Sequence, residues 1–118
     1  MLVVDDNRDA ANMLQALFEF EHYEVATAYD GYDAIAAVQR HIPNFIVMDL
    51  GMPGIDGYDT VRRIRACPGT EGITIVALTG WGQSDARVKA AAAGFDHHMV
   101  KPVDFDALKS LIGPSLHS

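Results

Sequence analysis

Five polar residues in this chain each stand directly after a short apolar run. Asp5 and Asp6 follow Met1–Val4, Asp49 follows Phe45–Met48, Thr79 follows Ile73–Leu78, and Lys101 follows His97–Val100. Three carboxylates, a hydroxyl and an ammonium brought to one place make a reactive set. Carboxylates gathered without a counter-charge raise at least one pKa, and a hard divalent cation resolves that conflict. Mg2+ accepts oxygen ligands at roughly 2.0–2.1 Å, typically one or two carboxylates with waters and phosphate oxygens. An aspartate cluster without His or Cys suits it better than zinc. With the cation in place, Asp49, ionised at neutral pH, can attack phosphorus without a general base. Mg2+ and Lys101 neutralise the approaching charge. Thr79 can donate its hydroxyl to a phosphoryl oxygen, and Gly80 leaves room and offers a backbone N–H. The product is an aspartyl phosphate carrying roughly -1.5 to -2 added charges at pH 7, enough to reorganise a loop.

The elements that must position this set follow from the apolar pattern. The four runs above, with Glu24–Ala28, read as five short strands bounded by Gly, Pro, Asn or Asp. Between them lie segments at helical spacing: Met13, Leu14, Leu17 and Phe18; Ala34, Ile35, Val38 and Ile42; Val61 and Ile64; Val88 to Ala93; and Phe105, Leu108, Leu111 and Ile112. Ser84 or Asp85 is expected to cap the fourth helix and Gly94 to stop it. Asp56-Gly57 reads as a turn before the third helix, and Ala90–Ala93 as a closely packed face. Strand and helix alternating five times imply a parallel sheet covered on both faces, because parallel neighbours need a crossover. The central runs are apolar without a period of two, as strands buried on both faces require. Parallel strands end on one edge, so the five polar residues meet there.

Composition agrees with a single domain over residues 1–118, since a chain of this length holds one core. The formal charge is -7, from 16 acidic and 9 basic residues, which opposes a nonspecific grip on nucleic acid or anionic membranes. Cys67 is the only cysteine and reads as an ordinary half-buried thiol, so no internal disulfide is possible and a cytoplasmic location is expected. No apolar stretch reaches the roughly 18 residues of a membrane span.

The strings LVVDDN (Leu2–Asn7), VMDLGMPGIDG (Val47–Gly57), ALTGWG (Ala77–Gly82) and VKPVD (Val100–Asp104) together resemble the signature blocks of response-regulator receiver domains of two-component systems. The resemblance covers essentially the whole chain. It implies the flavodoxin-like doubly wound (βα)5 fold with strand order 2-1-3-4-5. It also implies that Asp49 is the phosphoacceptor, that Asp5, Asp6, Asp49 and the Gly51 carbonyl hold Mg2+, that Thr79 is the switch hydroxyl and that Lys101 is the phosphate partner. The Lys101–Pro102 bond is expected to be cis. The implied phosphoryl donor is a phosphohistidine on a histidine kinase or phosphotransfer domain. A weak dimer through the fourth helix, fifth strand and fifth helix is a further expectation. The blocks LTGWGQ and GFDHHMVKPVD are most similar to receivers of hybrid histidine kinases, so the start at Met1 suggests a domain excised from such a protein; a stand-alone phosphorelay receiver is the alternative.

Some positions depart from the family pattern. His98 stands where the family usually has Tyr or Phe, the second half of the switch; a half-exposed edge-strand residue is the preferred reading over a pH-tuned switch. His97 reads as surface, and because adjacent strand residues point to opposite faces, the pair makes no metal site. Trp81, two residues after Thr79, reads either as a cover over the site or as an exposed loop side chain, while Gly51 offers no side chain to orient water. Gly80-Trp81-Gly82 lacks the rest of a dinucleotide fingerprint and is read as a plain loop. Two rival functions share part of this pattern: a phosphatase of the haloacid dehalogenase type, which needs a second Asp where this chain has Gly51, and a receiver-like module that binds without being phosphorylated. Retention of all five polar residues argues against the second.

Overall fold

The computed structural model describes residues 1–52, 54–80 and 86–112, with main-chain detail only at Ala86 and Arg87. Strands β1 (Leu2–Val4), β2 (Ala26–Ala28), β3 (Phe45–Asp49), β4 (Thr74–Thr79) and β5 (His97–Val100) alternate with helices α1 (Arg8–Phe20), α2 (Gly31–Arg40), α3 (Gly57–Ala66), α4 (Ala86–Ala93) and α5 (Phe105–Ile112). All pairings are parallel, in the order β2-β1-β3-β4-β5. This is the flavodoxin-like doubly wound arrangement that the family resemblance implies, and the covered parallel sheet that the alternation of elements implies.

Every residue of β3 is buried, because the strand lies at the centre of the sheet with helices on both faces. Its side chains alternate between two cores. Ile46 and Met48 join Ile75 and Ala77 of β4 and the inward residues of α2, α3 and α4: Ala34, Val38, Val61, Ile64, Ala90 and Ala93. Phe45 and Val47 join Val76 and Leu78 with Phe18 of α1 and Leu108 of α5. Helices α2, α3 and α4 therefore cover one face, and α1 and α5 the other.

Helix ends follow local chemistry. Asn7, Asp30 and Asp56 cap α1, α2 and α3, each side chain accepting a backbone N–H three residues on. Helix α4 stops at Gly94, whose φ of 116° is open to glycine and which sends its N–H back to the Ala90 and Ala91 carbonyls. Arg65, near the end of α3, reaches this stop: Nε and Nη2 donate to the Gly94 carbonyl at 3.1 and 3.0 Å, and Nη2 also donates to Asp96 at 2.9 Å. Its Nη1 donates to the Thr70 carbonyl at 2.7 Å, and Asp96 accepts the Ile75 N–H at 2.8 Å.

Five strand limits differ from the sequence expectation, two of them because β1 starts at Leu2 and β4 at Thr74, each one residue later than its apolar run. Strand β2 begins at Ala26, not Glu24, although the Met1 ammonium donates to the Glu24 carbonyl and the Ala26 N–H to the Met1 carbonyl. Strands β3 and β4 each run one residue further, so Asp49 and Thr79 are the last residues of their strands rather than the first beyond them. Ladder pairing continues through both: Asp49 pairs with Leu78, and Thr79 with Val100. Among the described residues, no helix is long and apolar enough to cross a membrane.

Candidate phosphoryl and metal site

The register assembles the site. Val4 pairs with Met48, so the next step along both strands sets Asp5 beside Asp49. Leu78 pairs with both Asp49 and Met99, which carries the same line across to Lys101, the first residue after β5. Backbone bonds hold each residue where its strand ends: Asp5 N–H to the Ala28 carbonyl at 3.1 Å, Leu50 N–H to Leu78 at 3.1 Å, and Lys101 N–H to Thr79 at 2.7 Å. The Lys101–Pro102 bond that follows is cis.

One carboxylate oxygen of Asp49 accepts the Lys101 ammonium at 2.8 Å, and the other accepts the Gly51 N–H at 3.0 Å. Asp5, Asp6 and Asp49 each place an oxygen so that all three lie within 4.8 Å of one another. Asp5 and Asp49 are buried while Asp6 is exposed, so the cluster opens toward solvent on one side. Burial is the main cause that pushes the Asp5 carboxyl up from its ordinary 3.8 to about 6, and the neighbouring Asp49 charge adds to it. The Asn7 N–H, donated to Asp5 at 2.9 Å, and Lys101 pull the other way. A divalent cation among these oxygens would relieve the repulsion, and an all-oxygen donor set fits Mg2+.

A cleft of about 690 Å3 runs from Asp5, Asp6 and Asp49 past Lys101 and Pro102 toward the exposed flank of α1 at Met13 and Leu17. On the opposite face, Thr79 is buried, and its hydroxyl lies 2.8 Å from His98 Nε2 and 3.3 Å from the Met99 carbonyl. His98 is half-buried on edge strand β5, yet the preference for a bystander did not foresee this contact. His97 is exposed and Cys67 half-buried. Trp81 and the expected caps Ser84 and Asp85 lie outside the described residues. Sequence reasoning missed Asn7, which both caps α1 and holds Asp5; a signal was available, since Asn directly precedes the first helical run.

The family profile described as "Response regulator receiver domain" matches residues 1–113. The chain belongs to that family. It is a receiver domain, the regulatory unit that is phosphorylated on aspartate in two-component signalling. The response regulator PleD of Caulobacter vibrioides is 36% identical over 104 residues, 88% of this chain and 23% of PleD. The share of a relative's own length that this receiver spans reaches 79% in an uncharacterised 14.6 kDa protein of Leptolyngbya boryana, 34% identical over 88% of this chain. Among solved structures, the receiver domain of the sensor histidine kinase PA1611 of Pseudomonas aeruginosa is similar over 94% of this chain and 91% of that one, with 29% identity and a TM-score of 0.85. That structure carries a magnesium ion coordinated in its active-site cleft.

Proposed function

We propose that Asp49 is the phosphoacceptor of this receiver and that Asp5, Asp6, Asp49 and the Gly51 carbonyl hold Mg2+. The observation that carries the reading is the placement of Asp49 between the Lys101 ammonium at 2.8 Å and the Asp5 and Asp6 carboxylates. The bound cation would supply charge neutralisation for an incoming phosphoryl group. The Asp49 carboxylate attacks phosphorus, an O–P bond forms as the donor's P–N bond breaks, and the imidazole of the donor's phosphohistidine leaves. Lys101 shifts its hydrogen bond toward a phosphoryl oxygen, and Thr79 donates its hydroxyl to another. Thr79 and His98 then carry the change toward the face formed by α4, β5 and α5.

The donor is a histidine kinase or histidine phosphotransfer domain, and the self-phosphorylation and self-dephosphorylation chemistry resides in this chain. Attachment to a hybrid histidine kinase, weak dimerisation through α4, β5 and α5, a cytoplasmic location and the absence of direct nucleic-acid binding belong to the same reading. The Gly51 position speaks against a phosphatase of the haloacid dehalogenase type. Incubation with acetyl phosphate and Mg2+, followed by intact mass measurement, tests the proposal. One added phosphoryl group, absent in Asp49→Asn, is the expected result. Continuous phosphate release would support a phosphatase, and an unmodified chain would support a passive module.

A further inference from the structure

Thr79 has one hydroxyl proton and is 1% exposed, so every partner it serves is close at hand. Two acceptors already compete for that proton: the Met99 carbonyl at 3.3 Å and, when bare of hydrogen, His98 Nε2 at 2.8 Å. The contact follows from register. Ala77 pairs with His98 and Thr79 with Val100, so the side chains at 77, 79 and 98 share the face covered by α4. A phosphoryl oxygen on Asp49 would be a third acceptor. Once Thr79 donates to it, the hydroxyl oxygen presents only lone pairs to His98. A ring nitrogen bearing hydrogen then makes a hydrogen bond, and a bare one is repelled.

We propose that His98 is a proton-linked positioning residue: its Nε2–H holds the Thr79 hydroxyl in donor orientation toward the phosphoryl group, so that protonation of the ring and phosphorylation of Asp49 favour each other. The inference rests on the reading of Asp49 as the phosphoacceptor. The neutral Nε2–H tautomer makes the same hydrogen bond, but only imidazolium adds positive charge near a group bringing roughly -1.5 to -2 charges. Coupling of this kind is reciprocal. The phosphorylated state holds the ring proton to higher pH, and a fall in pH through the His98 titration favours the phosphorylated state.

Among the described residues, few charged groups face His98. It is half-buried beside a cavity of about 300 Å3. From α4 that cavity receives Ala90 and Ala91, and from α5 it receives Leu111, none of which is charged. From the chain entering β5 it receives Asp96 and His97. Asp96 is held by Arg65 at 2.9 Å, and His97 is exposed. From β4 the partner is the neutral Thr79, and beyond β5 the Lys101 ammonium is paired with Asp49.

The test follows the His98 ring by NMR as pH is varied, in the full chain alone and loaded with beryllium fluoride and Mg2+ as a phosphoryl analogue. The His98 midpoint should rise by about one unit or more on loading, while the other histidines move far less. In Thr79→Val the rise should shrink to less than half. The ratio of wild-type to His98→Phe affinity for the analogue should grow about tenfold from the alkaline to the acid side of the midpoint, the equivalent of one unit. Loading with an unmoved His98 midpoint, or a pH profile parallel in wild type and His98→Phe, overturns this inference and leaves the Asp49 reading standing. Failure to load, together with no adduct from acetyl phosphate, overturns both.

Discussion

At the scale of single residues, Asp5 sets the pH response of the site. Its carboxyl titrates near 6 in the folded protein against an ordinary 3.8, chiefly because it is buried. Between those two values the native state keeps a proton that the unfolded chain has released, so this group's contribution to stability falls as pH rises from about 4 to about 6. Above that window the ionised carboxylate disfavours the fold when no cation is bound. Mg2+ should reverse the effect: thermal melts are expected to show stabilisation by Mg2+ that is small near pH 4 and grows as pH rises through about 6. Asp5→Asn should melt higher than wild type in chelator at neutral pH and gain little from Mg2+. A wild-type Mg2+ gain that is the same on both sides of the window would contradict this account. The five polar residues were legible in the sequence because each directly follows an apolar run. The bond between His98 and Thr79 was not, since it depends on side-chain direction and on pairing of β4 with β5 in one particular register.

At the scale of elements, the loop after β3 is held by a close approach that only glycine permits. A Cβ on Gly57 would stand 2.9 Å from the Leu50 Cα and 3.1 Å from the Asp49 carbonyl, so backbone rather than a flexible side chain would have to move. Gly57→Ala is expected to cost about 1–3 kcal/mol in urea unfolding. It should also slow adduct formation from acetyl phosphate, because the displaced carbonyl belongs to the acceptor residue. An unchanged midpoint and rate would show that the loop yields freely. Element order and the stop at Gly94 could be read from the chain, since alternation and glycine chemistry are local, whereas the strand order came only with the family resemblance. The strand limits could not be read as well. Glu24 matches strand composition, yet its pairing depends on Met1, a partner 23 residues away at the edge of β1. Helix α4 shows the opposite difficulty, because a run of alanines marks no apolar stripe and only packing decides that Ala90 and Ala93 face inward.

At the scale of the whole molecule, two cores share one sheet, and the site sits where that sheet's central strands end. Ile75 is fully buried in the core beneath α2, α3 and α4, and its N–H is held by Asp96. Ile75→Ala should cost about 2–5 kcal/mol in denaturant unfolding while leaving the Asp49 neighbourhood chemically intact. Acetyl phosphate should therefore still modify the folded fraction of this variant, and loss of the adduct in protein shown to be folded would mean that core and site are less separable than the two-core packing implies.

The grip of Arg65 on Gly94 and Asp96 bears on how such a molecule can change shape. It fastens the trailing end of α4 to α3 and, through Asp96, to the middle of the sheet. A helix tied at that end cannot slide along its axis without breaking those bonds. Movement of α4 that kept these bonds would turn about Gly94, and movement that broke them would be felt in α3 and β4 together.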